Sequence, residues 1–98
     1  MGEINWTREA QIWLEDIYNY IALDNPDAAH RTVAGIFARA QLLKTHPRLG
    51  HRYEGETDRE VRIMLYGHFR IAYLITSEST IDILGVFHGS LTIERYLL

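Results

Sequence analysis

Residues 68–88, HFRIAYLITSESTIDILGVFH, read as two strands folded back on each other. Phe69, Ile71, Tyr73 and Ile75, then Ile81, Ile83 and Phe87, occupy odd positions, while the even positions include His68, Arg70, Thr76, Asp82 and His88. Side chains alternate faces along a strand, so both odd sets line one buried face only if paired residue numbers sum to an even value. A three-residue loop, Glu78-Ser79-Thr80, satisfies this. It predicts Ile75 opposite Ile83, Tyr73 opposite Gly85, Ile71 opposite Phe87, and Arg70 opposite His88 on the second face. A slip of two residues makes Arg70 and His88 diagonal neighbours, still within reach of each other.

Upstream, Val61, Ile63 and Leu65 alternate with Glu60, Arg62 and Met64 as a third strand. A three-residue turn, Tyr66-Gly67-His68, would set Leu65 against Phe69 and Ile63 against Ile71, with Arg62 diagonal to Arg70 on the polar face. Residues 47–58, PRLGHRYEGETD, lack periodicity and read as a surface loop. Before them come two amphipathic helices. Ala10, Leu14, Ile17 and Ile21 form the stripe of the first, over residues 8–23, with Thr7 as N-cap; Trp13, Tyr18 and Tyr20 read as core and rim packing. Ala29, Val33, Ile36, Ala40 and Leu43 form the stripe of the second, which Asn25 caps, Pro26 opens and His46-Pro47 ends. So short a link makes the helices an antiparallel hairpin. Ile4 and Trp6 flank Asn5 as a brief first strand, and residues 91–98, LTIERYLL, form an amphipathic tail. The reading is one α+β domain over residues 1–98, β-α-α-β-β-β, its antiparallel sheet covered on one face by the helical hairpin.

With 98 residues and 47% hydrophobic content the chain can build one core and not two. Without cysteine, disulfides and thiolate metal sites are excluded, which points to a reducing cytoplasm. MGEINWTREA has no basic start followed by an apolar run, and no stretch approaches the ~20 apolar residues of a membrane span. The net charge of −3 is unevenly spread: residues 1–30 carry −5, residues 31–70 carry +4 and residues 71–98 carry −2. A basic band thus crosses an acidic protein. Such a band suits an acidic protein partner at least as well as nucleic acid.

Gly-rich phosphate loops, HExxH, the EF-hand pattern and GxSxG are absent, and the five histidines lack metal-ligand spacing, so neither a cofactor nor a metal is expected. Arg62, Arg70 and His88 remain as candidates on one sheet face. As chemistry, two cations would stabilise a phosphate and an imidazole would move a proton, the requirements of phosphodiester cleavage. As structure, the arginines pair with Glu60, Asp82 or Glu94, and His88 closes a strand end.

Several segments, in this order, resemble one family. Trp6-Thr7-Arg8-Glu9-Ala10, Asp16-Ile17-Tyr18-Asn19-Tyr20-Ile21, the N-P-x-A-A run at 25–29, H-P-x-x-G at 46–50, R-E-V-R at 59–62, [YF]-R-I-x-Y at 69–73 and I-x-I-L-x-V-x-H-G at 81–89 are similar to the ParE/RelE superfamily of bacterial toxins. The resemblance implies the same element order. It implies one of two activities: poisoning DNA gyrase by trapping its cleaved DNA complex, as in the ParE branch, or ribosome-dependent mRNA cleavage, as in the RelE branch. It also implies growth arrest, a role in plasmid stabilisation, and a small cognate antitoxin of ParD type.

The turn at 25–29, the helix end at 46–50 and the tail H-G-x-x-x-I-E-R-x-L at 88–97 look like the ParE branch. For the nuclease alternative, Arg62, Arg70 and His88 match the arginine and histidine positions by pattern. Gly89, however, stands where several nucleases carry tyrosine, and Lys44 is the only lysine. A pI near 5.9 also disfavours entry into a ribosomal RNA site. The expectation is therefore a non-enzymatic gyrase binder that does not bind nucleic acid alone. Its contact candidates are Arg48, Arg52 and Arg59 of the basic loop and Leu91, Ile93, Arg95 and Leu97 of the tail.

Overall fold

The computed structural model of the chain describes residues 2–55 and 58–88. The chain runs through β1 (Glu3–Trp6), α1 (Arg8–Ala22), α2 (Pro26–Gln41), a 3-10 turn (Leu42–Lys44), β2 (His51–Arg52), β3 (Val61–Tyr66), β4 (Phe69–Ser77) and β5 (Thr80–His88). The Thr7 hydroxyl accepts from the Ala10 amide at 3.1 Å and donates to the Ile83 carbonyl at 2.8 Å, so one side chain both starts α1 and ties it to the sheet. Asn25 accepts from the Ala28 amide at 3.0 Å, and Pro26 follows in the first turn of α2.

The sheet order is β1-β5-β4-β3-β2. The meander β3-β4-β5 is antiparallel as the alternation implied, but β1 joins β5 in parallel, with Ile4 opposite Ile81 and Trp6 opposite Ile83, so the sheet is mixed. The two-residue β2, inside the stretch read as loop, adds the outer edge through His51 opposite Ile63 and Arg52 opposite Arg62.

Both hairpin registers differ from the sequence reading, for a shared reason: the turns have two residues, not three. Tyr66 pairs with Phe69 around Gly67-His68, and Gly67 adopts φ +58°, the left-handed conformation that a two-residue hairpin turn demands. This moves β3 by one place and exchanges its faces. Met64 and Tyr66 face the helices, while Val61 and Ile63 lie on the opposite side across from Leu74 and Ala72. Around the second turn Ser77 pairs with Thr80, and Ile75 pairs with Ile81 beyond an unmatched Thr76. The register shifts again between Ile83 and Gly85, leaving Leu84 as a bulge. The bulge places Val86 in the cluster that includes Ile71 and the helices, and Phe87 with Ala72 in a second cluster that Trp13 of α1 also reaches, reversing the expected place of Phe87.

Two apolar clusters result. The larger joins Ala10, Ile36, Ala40 and Leu43 of the helical layer to Ile71, Tyr73, Ile81, Ile83 and Val86. The smaller gathers Val61, Ile63, Ala72 and Phe87, and Trp13 meets the Phe87 ring edge-on at 4.9 Å. Among the described residues no helix is long and apolar enough to cross a membrane.

Candidate functional site

Where α2 gives way to the outer sheet edge, residues 46–52 run beside Arg62 and Ile63 of β3 and over Tyr73 of β4. Tyr73 sits at the middle of β4 with no solvent exposure. A buried phenol needs a partner for its hydroxyl. It has two: it donates to the Pro47 carbonyl at 2.8 Å and accepts from the Gly50 amide at 2.9 Å. Burial pushes the Tyr73 hydroxyl above its ordinary pKa, and the hydrogen bond from Gly50 opposes that rise.

Arg62, opposite Tyr73 on β3, adds a second tether. Its Nη1 donates to the Gly50 carbonyl at 2.7 Å and, at a longer 3.5 Å, to the Arg48 carbonyl. Its Nε donates to Glu60 at 2.9 Å. The same carboxylate receives Nε and Nη2 of Arg48 at 3.1 and 3.2 Å, a two-pronged pair. The hydrogen bond from Arg62 foremost, and Arg48 with it, holds the Glu60 carboxyl below the usual carboxylate range against the opposing effect of burial. Gly50 is buried against β3: a Cβ there would stand 2.6 Å from the Ile63 carbonyl oxygen. Outside this clamp, Arg48, Leu49, His51 and Arg52 are exposed.

The trio Arg62, Arg70 and His88 is not brought together. Arg62 shares a face with Tyr73, whereas Arg70 pairs with Leu65 and Phe87 on the other side of the sheet. His88 pairs with Phe69, four residues along β4 from Tyr73 and therefore about 13 Å away along the strand. Arg62 is instead the ion-pair partner of Glu60. Arg59 is exposed beside the clamp, and Leu91, Ile93, Arg95 and Leu97 lie outside the described residues.

At the far end of the sheet His68 and His88 stack at 6.5 Å beside an apolar cleft of about 510 Å³. Trp13, Ile17 and Tyr20 of α1 wall it on one side, Phe69 and Val86 on the other. Among the described residues no three His, Asp or Glu side chains gather as metal ligands. Sequence reasoning missed two features. Tyr73 lies in the core as its strand position implies, but alternation does not say where its hydroxyl goes, and a tyrosine amid aliphatic strand positions signals a hydroxyl with a destination. The cleft depends on a register that alternation alone could not set.

Two helices layered on a five-stranded mixed sheet, with a tethered basic rim at one edge, define a small two-layer α+β protein. Residues 4–91 match the family described as the ParE toxin of the type II toxin-antitoxin system parDE. A Sinorhizobium fredii (strain NBRC 101917 / NGR234) protein described as a candidate toxin, Y4kP, is 34% identical over 86 residues, covering 88% of this chain and 86% of that protein. A solved structure titled as a chromosomal ParDE system from P. aeruginosa superposes with a TM-score of 0.73 at 25% identity, covering 90% of this chain and 96% of that one. The chain belongs to the ParE toxin family of type II toxin-antitoxin systems.

Proposed function

We propose that the protein is a cytoplasmic toxin that poisons DNA gyrase by binding it and trapping the cleaved DNA complex, without chemistry of its own, and that a ParD-like antitoxin neutralises it. The observation that carries this reading over mRNA cleavage is the separation of Arg62, Arg70 and His88. A phosphodiester cut needs its cation and its proton carrier around one phosphate. Here Arg62 is committed to Glu60 and to the loop carbonyls, and Arg70 lies across the sheet from it. Binding needs only a presented surface, and the tethered edge carrying Arg48 and Arg52 supplies one.

The test is a plasmid supercoiling and cleavage assay with purified gyrase, with and without the protein. Linear DNA accumulating as supercoiling is lost is the expected result. Unchanged supercoiling with folded protein in stoichiometric excess overturns the reading, and codon-specific mRNA cuts in a translation extract would then assign the nuclease activity instead.

A further inference from the structure

From residue 44 to residue 53 the chain carries Lys44, Arg48 and Arg52 and no acid, inside a protein of net charge −3. The same segment is tied down more fully than a connection between a helix and an edge strand requires. The carbonyl of His46 accepts from the Leu49 amide at 3.1 Å, that of Pro47 from Tyr73, and those of Arg48 and Gly50 from Arg62. The Gly50 amide donates to Tyr73. A surface loop that only links two elements leaves such groups to water. Here they are held by a buried phenol and a guanidinium, so the outward side chains stand in fixed positions.

Those side chains are of two kinds. Leu49 is 50% exposed. Arg48, with 61% of its side chain exposed, is braced by Glu60 and flanks it, and Arg52 lies beyond on β2 across from Arg62. An apolar side chain set between arginines on a preformed support is the composition of a protein-binding hot spot, and fixing it beforehand removes the ordering cost of association. A nucleic-acid backbone would use the arginines but has no apolar hollow for Leu49.

We infer that residues 47–52 are a preformed docking knuckle for an acidic protein surface, in which Leu49 enters an apolar hollow, Arg48 and Arg52 meet flanking carboxylates, and Tyr73 is the positioning residue acting from inside the core. This deepens the proposed function and rests on its reading of the basic edge as the contact surface. Tyr73 is fully buried and touches no partner, so its hydroxyl influences binding only through the loop.

The experiment measures binding of the full chain to purified gyrase and to a short DNA duplex, together with growth arrest on expression. The variants are Leu49→Ser, Arg52→Glu, Tyr73→Phe and a control, Glu15→Ala, on the exposed face of α1. Thermal melting verifies each fold, and hydrogen exchange at Gly50 reports the tether. The expected result is gyrase binding weakened about tenfold or more by Leu49→Ser and by Tyr73→Phe, with Glu15→Ala unchanged.

Wild-type gyrase affinity in both Leu49→Ser and a folded Tyr73→Phe whose Gly50 exchange is accelerated overturns the knuckle and leaves gyrase as target. No gyrase binding by the wild type, with growth arrest relieved by both variants, supports the knuckle and removes gyrase as its partner. Tight binding to the duplex that ignores Leu49→Ser overturns a protein occupant. If Tyr73→Phe does not fold, Leu49→Ser decides, since an exposed side chain is not needed for the core.

Discussion

Gly50 is placed where a side chain has no room, between the Ile63 carbonyl and the Tyr73 ring. In Gly50→Ala the new methyl meets main chain, which does not yield as a flexible side chain would. The expected cost is about 1–3 kcal/mol, which a urea titration measures; a loss under half that range means that the loop lifts from β3 without difficulty. The Glu60 bridge gives a pH signature. Its folded carboxyl titrates below the ordinary 4.5, so the folded state binds fewer protons near that pH and the bridge stabilises above it. The stabilisation is lost as the pH falls through the lowered value. Wild type should therefore melt a few degrees above Glu60→Gln near neutrality, the size expected of about 0.5–1 kcal/mol in a domain this small, and the gap should close below 4.5. A gap that persists undiminished in strong acid means that the carboxyl's packing, not its charge, holds the loop. The Glu60–Arg62 pair was legible from spacing, because residues two apart on a strand share a face. Arg48 as its third member was not, since nothing local records where a loop folds back.

At the scale of elements, the helices and their caps were legible and the sheet register was not. Thr7 and Asn25 stand where the helical periodicity begins, and each makes the bond that a cap makes. Thr7 also donates to Ile83, so Thr7→Ala should cost about 2 kcal/mol, and Asn25→Ala about 1 kcal/mol, in chemical denaturation. Equal losses would show that the tie from α1 to β5 contributes nothing beyond the cap. Register is a different matter, because a single unmatched residue exchanges every face beyond it. Gly85 held the available hint: glycine within a run of β-branched residues marks a bulge or a close approach. Here it marks both, since Leu84 is unmatched and the Phe87 ring lies over Gly85, where a Cβ would approach to 2.6 Å. Gly67 likewise pointed to the tight turn. Gly67→Ala meets no neighbour among the described residues, but its φ of +58° strains an alanine, and a loss of about 1–2 kcal/mol should follow from conformation alone. The same one-residue shift sets Arg62 and Arg70 on opposite faces, where a three-residue turn would have them share one.

At the scale of the whole molecule the charges are separated: residues 1–30, through α1 and into α2, carry −5, while residues 31–70, which include the tethered edge, carry +4. Such a molecule turns its basic edge toward an acidic partner before contact, and that attraction acts over roughly a Debye length, about 10 Å at 0.1 M salt. The loop geometry acts later, once the surfaces meet. Steering and fit are therefore separable kinetically. Arg52 is exposed on the outermost strand and, among the described residues, braces no other side chain, so Arg52→Glu should mainly slow association, and the slowing should fade as salt is raised from about 50 to 300 mM. Tyr73→Phe leaves the charge field intact and loosens only the support, so it should mainly speed dissociation, with little dependence on salt. Surface-plasmon kinetics of wild type and both variants against immobilised gyrase at the two salt concentrations resolve the two effects. Had both variants changed the association rate alone, Tyr73 would be acting through the field, which a neutral, buried phenol cannot do; the loop would then have to be mobile before encounter, and the preformed knuckle would be wrong.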